Sequence, residues 1–152
     1  MSLRQVYHQN NRKSLLTIGG ITIVVSLFLC LVMAMFLPTL ASSFILFLII
    51  GSFLIGIANS EIVISPEGIE WHQFGFCTRS PWSNVARIAP FQSDNVLTQA
   101  IYFHQPAQQF FKLFPFQPVT SIKMIPLYQF RFDADSKLGR DLRLYRPDLF
   151  NI

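Results

Sequence analysis

Residues 14–60 read SLLTIGGITIVVSLFLCLVMAMFLPTLASSFILFLIIGSFLIGIANS, 47 positions without one charged side chain between Lys13 and Glu61. A bilayer's hydrocarbon is roughly 30 Å thick and an α-helix rises about 1.5 Å per residue, so one crossing takes about 20 apolar residues. The run is too long for one span and long enough for two, Leu15–Leu37 and Leu40–Ala58. Pro38 has no amide hydrogen and disfavours helical geometry at Leu37, so the first helix is expected to stop there. The connection is short and carries no large polar segment, which predicts an antiparallel hairpin with both chain ends on one side. Arg4, Arg12 and Lys13 precede the run and residues 38–43 contain no Lys or Arg. Lysines and arginines near span ends are retained in the cytoplasm, so both termini are expected there. A cleaved signal peptide fits less well, because its apolar core is usually about 7–15 residues and a second apolar segment follows here at once.

Residues 61–152 suffice for one small domain. They hold all eight acidic side chains and nine of the twelve basic ones. That near balance excludes the clustered positive charge of a nucleic-acid binder. The basic residues before the first span suit an anionic leaflet, each worth about 1 kcal/mol close to such a surface. Cys30 falls in the first span and Cys77 beyond the second, which leaves no disulfide framework and agrees with a reducing compartment.

Beyond Ser60 the period changes to two. Glu61-Ile62-Val63-Ile64-Ser65 and Ile69-Glu70-Trp71-His72-Gln73-Phe74 flank Pro66-Glu67-Gly68, in which proline fixes one dihedral and glycine tolerates a positive one; this predicts a β-hairpin closed by Gly75. Ser80 to Phe91 reads as the next strand, limited by Pro81 and Pro90, and Val96 to His104 as a longer one. Pro106, Pro115 and Pro118 punctuate Gln105 to Thr120, read as a long loop, and Ser121 to Phe132 recovers β character. At the end Asp135 or Ser136 can cap a helix whose Leu138, Leu142 and Tyr145 share a face, with Pro147 as its stop.

Short strands followed by one amphipathic helix make an α+β domain. Ile62-x-Ile64-x-Pro66-Glu67-Gly68-Ile69, Pro81-Trp82-Ser83-Asn84-Val85, Ile125-Pro126-Leu127, Leu138-Gly139-Arg140-Asp141-Leu142 and Pro147-Asp148-Leu149-Phe150 together resemble the bacterial pleckstrin-homology (PH) domain proteins in which a transmembrane hairpin precedes the domain. The resemblance implies a cytoplasmic segment 1–14, a hairpin 15–59 and a cytoplasmic domain 60–152, a PH-like antiparallel split barrel closed by its carboxy-terminal helix. It also implies a non-enzymatic binding or scaffolding module at the cytoplasmic face of a bacterial inner membrane, or of a thylakoid if the source is photosynthetic. The alternative is a small structural or assembly subunit of a larger membrane complex, held through the hairpin.

Candidate contact residues follow from this reading. Arg79 lies in the loop 75–80, where lipid-binding PH domains place several basic residues; here it is the loop's one cation, which argues against phosphoinositide binding. Phe110, Phe111, Phe114 and Phe116, with Lys112, either fill the core or form an interfacial element that meets lipid or a membrane-protein partner, and Arg12 and Lys13 are further candidates for such contact. Ser26 and Cys30 in the first span, and Ser52 and Gly56 in the second, recur at i+4 and offer faces for close helix packing. His8, His72 and His104 are dispersed, no metal-ligand spacing, phosphate loop or nucleophile elbow is present, and no cofactor, metal or nucleic-acid partner is expected. An enzyme would instead need Glu70, His72 or His104 to converge in a pocket.

Overall fold

The charge-free run forms two helices, α1 (Arg12–Phe36) and α2 (Ser43–Ala58). This computed structural model describes residues 4–36, 43–93, 96–112, 114–130 and 132–150, so the expected break at Pro38 lies outside the described residues. Among the described residues one helix is long and apolar enough to cross a membrane, Arg12–Met35, 24 residues with a mean hydropathy of 2.6. The second span expected over Leu40–Ala58 corresponds to a described helix of 16 residues, about 24 Å at the α-helical rise and short of the roughly 30 Å hydrocarbon.

α1 and α2 pack against each other antiparallel. At one level Gly19 meets Gly51, where a Cβ on Gly19 would stand 2.9 Å from the Gly51 carbonyl oxygen and one on Gly51 would stand 2.7 Å from Cγ1 of Ile23. At another, Ser26 is buried beside Phe44 and Phe47. Ser52, expected on the packed face, is exposed and its hydroxyl donates to the Leu48 carbonyl of its own helix at 2.8 Å. The close approach is made one residue earlier, at Gly51, because a step of one residue turns about 100° around a helix. Cys30 and Gly56 are half-buried.

The second unit comprises Met1–Asn10 with Ser60–Ile152, set apart from Asn11–Asn59. It is an α+β unit built on one open antiparallel sheet of seven strands: β1 (Gln5–His8), β2 (Glu61–Ser65), β3 (Gly68–Gln73), β4 (Phe76–Pro81), β5 (Val85–Ser93), β6 (Val96–Phe111) and β7 (Phe114–Pro126). The order is β1-β2-β3-β4-β6-β5, with β7 also on β6. β6 takes β5 and β4 along successive lengths of one edge and β7 along the other.

The expected β2–β3 hairpin is present, with Ile64 opposite Ile69 around the Pro66-Glu67 turn. The next turn has Phe74 at φ 50° and Gly75 at φ 79° between Gln73 and Phe76. Positive φ at both central residues is the arrangement whose twist matches paired strands. Two stretches differ from expectation. The loop expected over 75–80 and the strand expected from Ser80 to Phe91 are instead β4 (Phe76–Pro81), a 3-10 turn (Trp82–Asn84) and β5. Of the stretch 105–120, expected as a long loop, residues 105–111 belong to β6 and 114–120 to β7, which pair as a hairpin. Proline is tolerated on edge strands and at bulges; Pro106 falls where the register shifts between Tyr102 and Ala107, and Pro118 sits on β7 opposite Phe110 at a second shift.

The core lies on one face of this sheet. Ile62, Ile64, Ile69, Trp71, Ile101 and Ile125 pack with Leu138 and Leu142 of the carboxy-terminal helix α3 (Lys137–Tyr145) and with Leu149. Ser136 caps α3 by accepting from the Gly139 amide at 3.0 Å. Trp82 stacks on Tyr145 with ring centroids 5.3 Å apart and donates its indole N–H to the Ser65 carbonyl at 2.9 Å. Arg146 donates to the carbonyls of Trp82 and Val85, which binds the end of α3 to the start of β5. Tyr7 donates to the Asp141 carboxylate, so β1 is tied to α3 as well as to β2.

Candidate functional site

Side chains on a strand alternate between faces, so the residues that leave Ile69 and Trp71 in the core send Glu70 and His72 to the opposite face. The register then fixes their neighbours: Glu70 opposes Arg79, His72 opposes Cys77 on β4, and Glu61 opposes His72 on β2. On the outer strand His8 opposes Glu61. A polar cluster therefore covers the face turned away from the core, assembled from four strands.

Glu70 is its hub. Arg79 Nε donates to Glu70 Oε1 at 2.7 Å, Arg4 to Oε2 at 3.2 Å, and His72 Nε2 stands 3.3 Å from Oε2. Cys77 Sγ is 3.9 Å from His72 Nε2. At the margin Glu61 faces His8 Nδ1 at 3.6 Å and Lys112 Nζ at 3.9 Å. The Glu70 and His72 side chains are only 15% and 12% exposed, whereas Arg79 is 70% exposed and Arg4 60%. His72 Nδ1 is buried without a hydrogen-bond partner.

Burial pushes the Glu70 carboxyl upward, but the charge and hydrogen bond of Arg79, the His72 contact and the charge of Arg4 outweigh it and hold the group below the usual carboxylate range. Burial, with the Lys112 charge, lowers His72 despite Glu70 and Glu61. Burial and then Glu70 raise the Cys77 thiol, partly opposed by Arg79, Lys112 and Arg4. The first two shifts act in the same direction on stability. A base or acid with a lowered folded pKa binds fewer protons folded than unfolded, so its contribution is lost as pH falls from the unfolded value toward the folded one. Acidification is therefore expected to lower the melting temperature in two stages, the first just below about pH 6.5 from His72 and the second below about pH 4.3 from Glu70. Thermal melts of chelator-treated protein by near-ultraviolet circular dichroism check this. Parallel curves for wild type and His72→Gln from about pH 7.5 to 5 would contradict the first stage.

The expected contact residues divide. Arg79 is not in a loop but on β4, with its guanidinium on Glu70. Phe110 opposes Cys77, and both Phe110 and Phe111 are half-buried. The Phe111 ring packs on Phe76 at 5.4 Å, over Gly75, whose carbonyl accepts the Lys112 amide at 2.7 Å. The side chains of Phe114 and Phe116 lie outside the described residues. Arg12 and Lys13 open α1, Arg12 half-buried and Lys13 exposed. Of the three residues named for an enzyme, Glu70 and His72 are together, while His104 lines a separate open cleft of about 470 Å³ with Pro81, Ser83, Asn84 and Gln105.

Residue spacing alone does not bring Cys77, Arg4 and Lys112 beside His72 and Glu70; the strand register does. Among the described residues, Glu70, His72 and Cys77 are the group whose metal-ligand-type atoms come together, all within 4.8 Å of one another. The sequence signal was present but weak: E-x-H puts two donors on one face, and the two-residue turn 74–75 returns Cys77 beside His72. Searches of protein-family models, curated proteins and solved structures found no match to this chain.

Proposed function

We propose that the chain is a non-enzymatic, membrane-anchored binding module in which an apolar helical hairpin holds a PH-like domain at the cytoplasmic membrane face. The observation that carries this reading is the pairing of β1 with β2. Val6 opposes Val63, and the Gln9 amide donates to the Ser60 carbonyl at 3.2 Å. The chain leaves the sheet after Asn10 and re-enters it at Ser60, so the apolar segment begins and ends at neighbouring strands, which supports a hairpin that returns to the side from which it started. Large apolar side chains exposed along both helices, among them Phe28, Leu31, Met35, Ile45, Ile49 and Phe53, suit a lipid environment. Arg4, Arg12 and Lys13 ahead of the apolar run support a cytoplasmic location for the shared side. An antiparallel sheet of seven strands, six of them after the apolar helices, with a following helix packed into its core supports the PH-like reading.

The mechanism is tethering. Holding a binding face beside the bilayer raises its effective concentration toward membrane proteins without a new contact. Terminal epitope tags test the topology: both should resist protease in right-side-out vesicles and be cleaved in inverted ones, and opposite behaviour of the two tags defeats the hairpin. Purification of the full chain in mild detergent, beside a version ending at Ser60, should then retain a membrane-protein partner only with the full chain. Retention by both assigns recruitment to the helices and favours the subunit alternative.

A further inference from the structure

We propose that Glu70, His72 and Cys77 form a binding site for a borderline divalent transition-metal ion, zinc(II) in the first instance. The donors are a carboxylate oxygen, an imidazole nitrogen and a thiolate, the three protein donor types that zinc takes. With Zn–N and Zn–O near 2.0–2.2 Å and Zn–S near 2.3 Å, a tetrahedron sets N and O roughly 3.3 Å apart and N and S roughly 3.5 Å apart. Here Glu70 Oε2 is 3.3 Å from His72 Nε2, and Cys77 Sγ is 3.9 Å from that nitrogen. All three donor atoms lie within 4.8 Å of one another, so side-chain movements of about 1 Å would close this set on an ion.

The placement comes from paired strands, not from a loop. Glu70 and His72 are two residues apart on β3, and Cys77 is the direct cross-strand partner of His72. Rigid elements hold ligands more closely than loops do. The outer surroundings also suit a ligand set. Arg79 occupies Glu70 Oε1, the oxygen turned away from His72, and so orients the carboxylate as hydrogen-bonded outer partners of metal ligands do. Arg4, which shares Oε2 with His72, is an exposed side chain with room to swing into solvent. A thiolate and a carboxylate supply two negative charges against the ion's two positive ones. On binding, the Cys77 thiol gives its proton to solvent as the sulfur–metal bond forms, and the fourth position is left to water.

The test uses the full chain in detergent micelles, with Cys30→Ser so that Cys77 is the one thiol, and cobalt(II) as a visible probe. One equivalent of cobalt(II) per chain should give tetrahedral ligand-field bands and a sulfur-to-cobalt charge-transfer band, both removed by zinc(II). His72→Gln and Glu70→Gln should weaken binding by at least about tenfold, and Cys77→Ala should abolish the charge-transfer band with the far-ultraviolet spectrum unchanged. Absence of the band in the parent protein, or its persistence after Cys77→Ala, overturns the proposal. Should the variants fail to fold, the parent protein decides. Zinc(II) should protect Cys77 from alkylation by a soluble maleimide, and equal rates with and without zinc(II) reject the site.

Discussion

Replacing Gly139 with alanine is expected to destabilise the sheet-bearing unit by about 3 kcal/mol, although the same change in an exposed helix interior normally stabilises by up to about 1 kcal/mol. Gly139 sits in α3, where the helix crosses the turn that leads into it. A Cβ there would stand 2.6 Å from the Ala134 carbonyl oxygen and closer still to that of Asp133. Both are backbone atoms, so no side chain can swing aside, and α3 must lift or the turn must move. Either motion disturbs the Ser136 cap, whose hydroxyl accepts from the Gly139 amide and donates to the Asp133 carbonyl at 2.6 Å. Thermal melts of the full chain in detergent, followed by near-ultraviolet circular dichroism, should show a loss of more than about 10 °C. A gain in melting temperature would mean that α3 does not pack this closely.

Leu142→Ala is expected to cost about 2–5 kcal/mol, the usual range for truncating a buried leucine. Leu142 has no exposed surface and belongs to the same cluster as Ile62, Ile101 and Ile125, so it joins helix and sheet in one core. The lost methyl groups also leave a cavity that the neighbouring isoleucines, fixed on paired strands, fill poorly. The contrast with Leu144→Ala is the control. Leu144 lies two residues away on the same helix but is 72% exposed, and its truncation should shift the midpoint by less than about 0.5 kcal/mol. Similar losses at both positions would show that α3 is not seated by the Leu142 face. Chemical denaturation of both variants in the same detergent supplies the comparison.

What could be read from the chain followed from how local each signal is. The missing charges of residues 14–60, the Pro66-Glu67-Gly68 turn and the Ser136 cap with Leu138 and Leu142 on one face all act within a few residues. Each corresponds to an element in the structure. The β6–β7 hairpin was hidden because proline weighs as a breaker wherever it occurs, and only the pairing reveals that Pro118 lies on an edge strand beside an irregular register. β1 left no local trace: Gln5-Val6-Tyr7-His8 is short, and its partner lies beyond the whole apolar run. The polar cluster was obscured for a related reason. Glu70 and His72 could be placed on one face, but Arg79 was assigned to a loop, and the position of Cys77 depends on the length of the Phe74-Gly75 turn. One added residue there would break the pairing of His72 with Cys77.

The position of β1 ahead of the apolar run also sets an order for biogenesis. β1 leaves the ribosome before its partner β2, with whose Ile62 and Ile64 it pairs and from which residues 9–60 separate it in synthesis. At about 5–20 residues per second that interval lasts several seconds. On the proposed topology, insertion of the apolar segment falls inside the interval, so β1 has to wait at the membrane surface until β2 is made. Completion of the sheet thereby becomes a late report that the intervening helices have been threaded and returned.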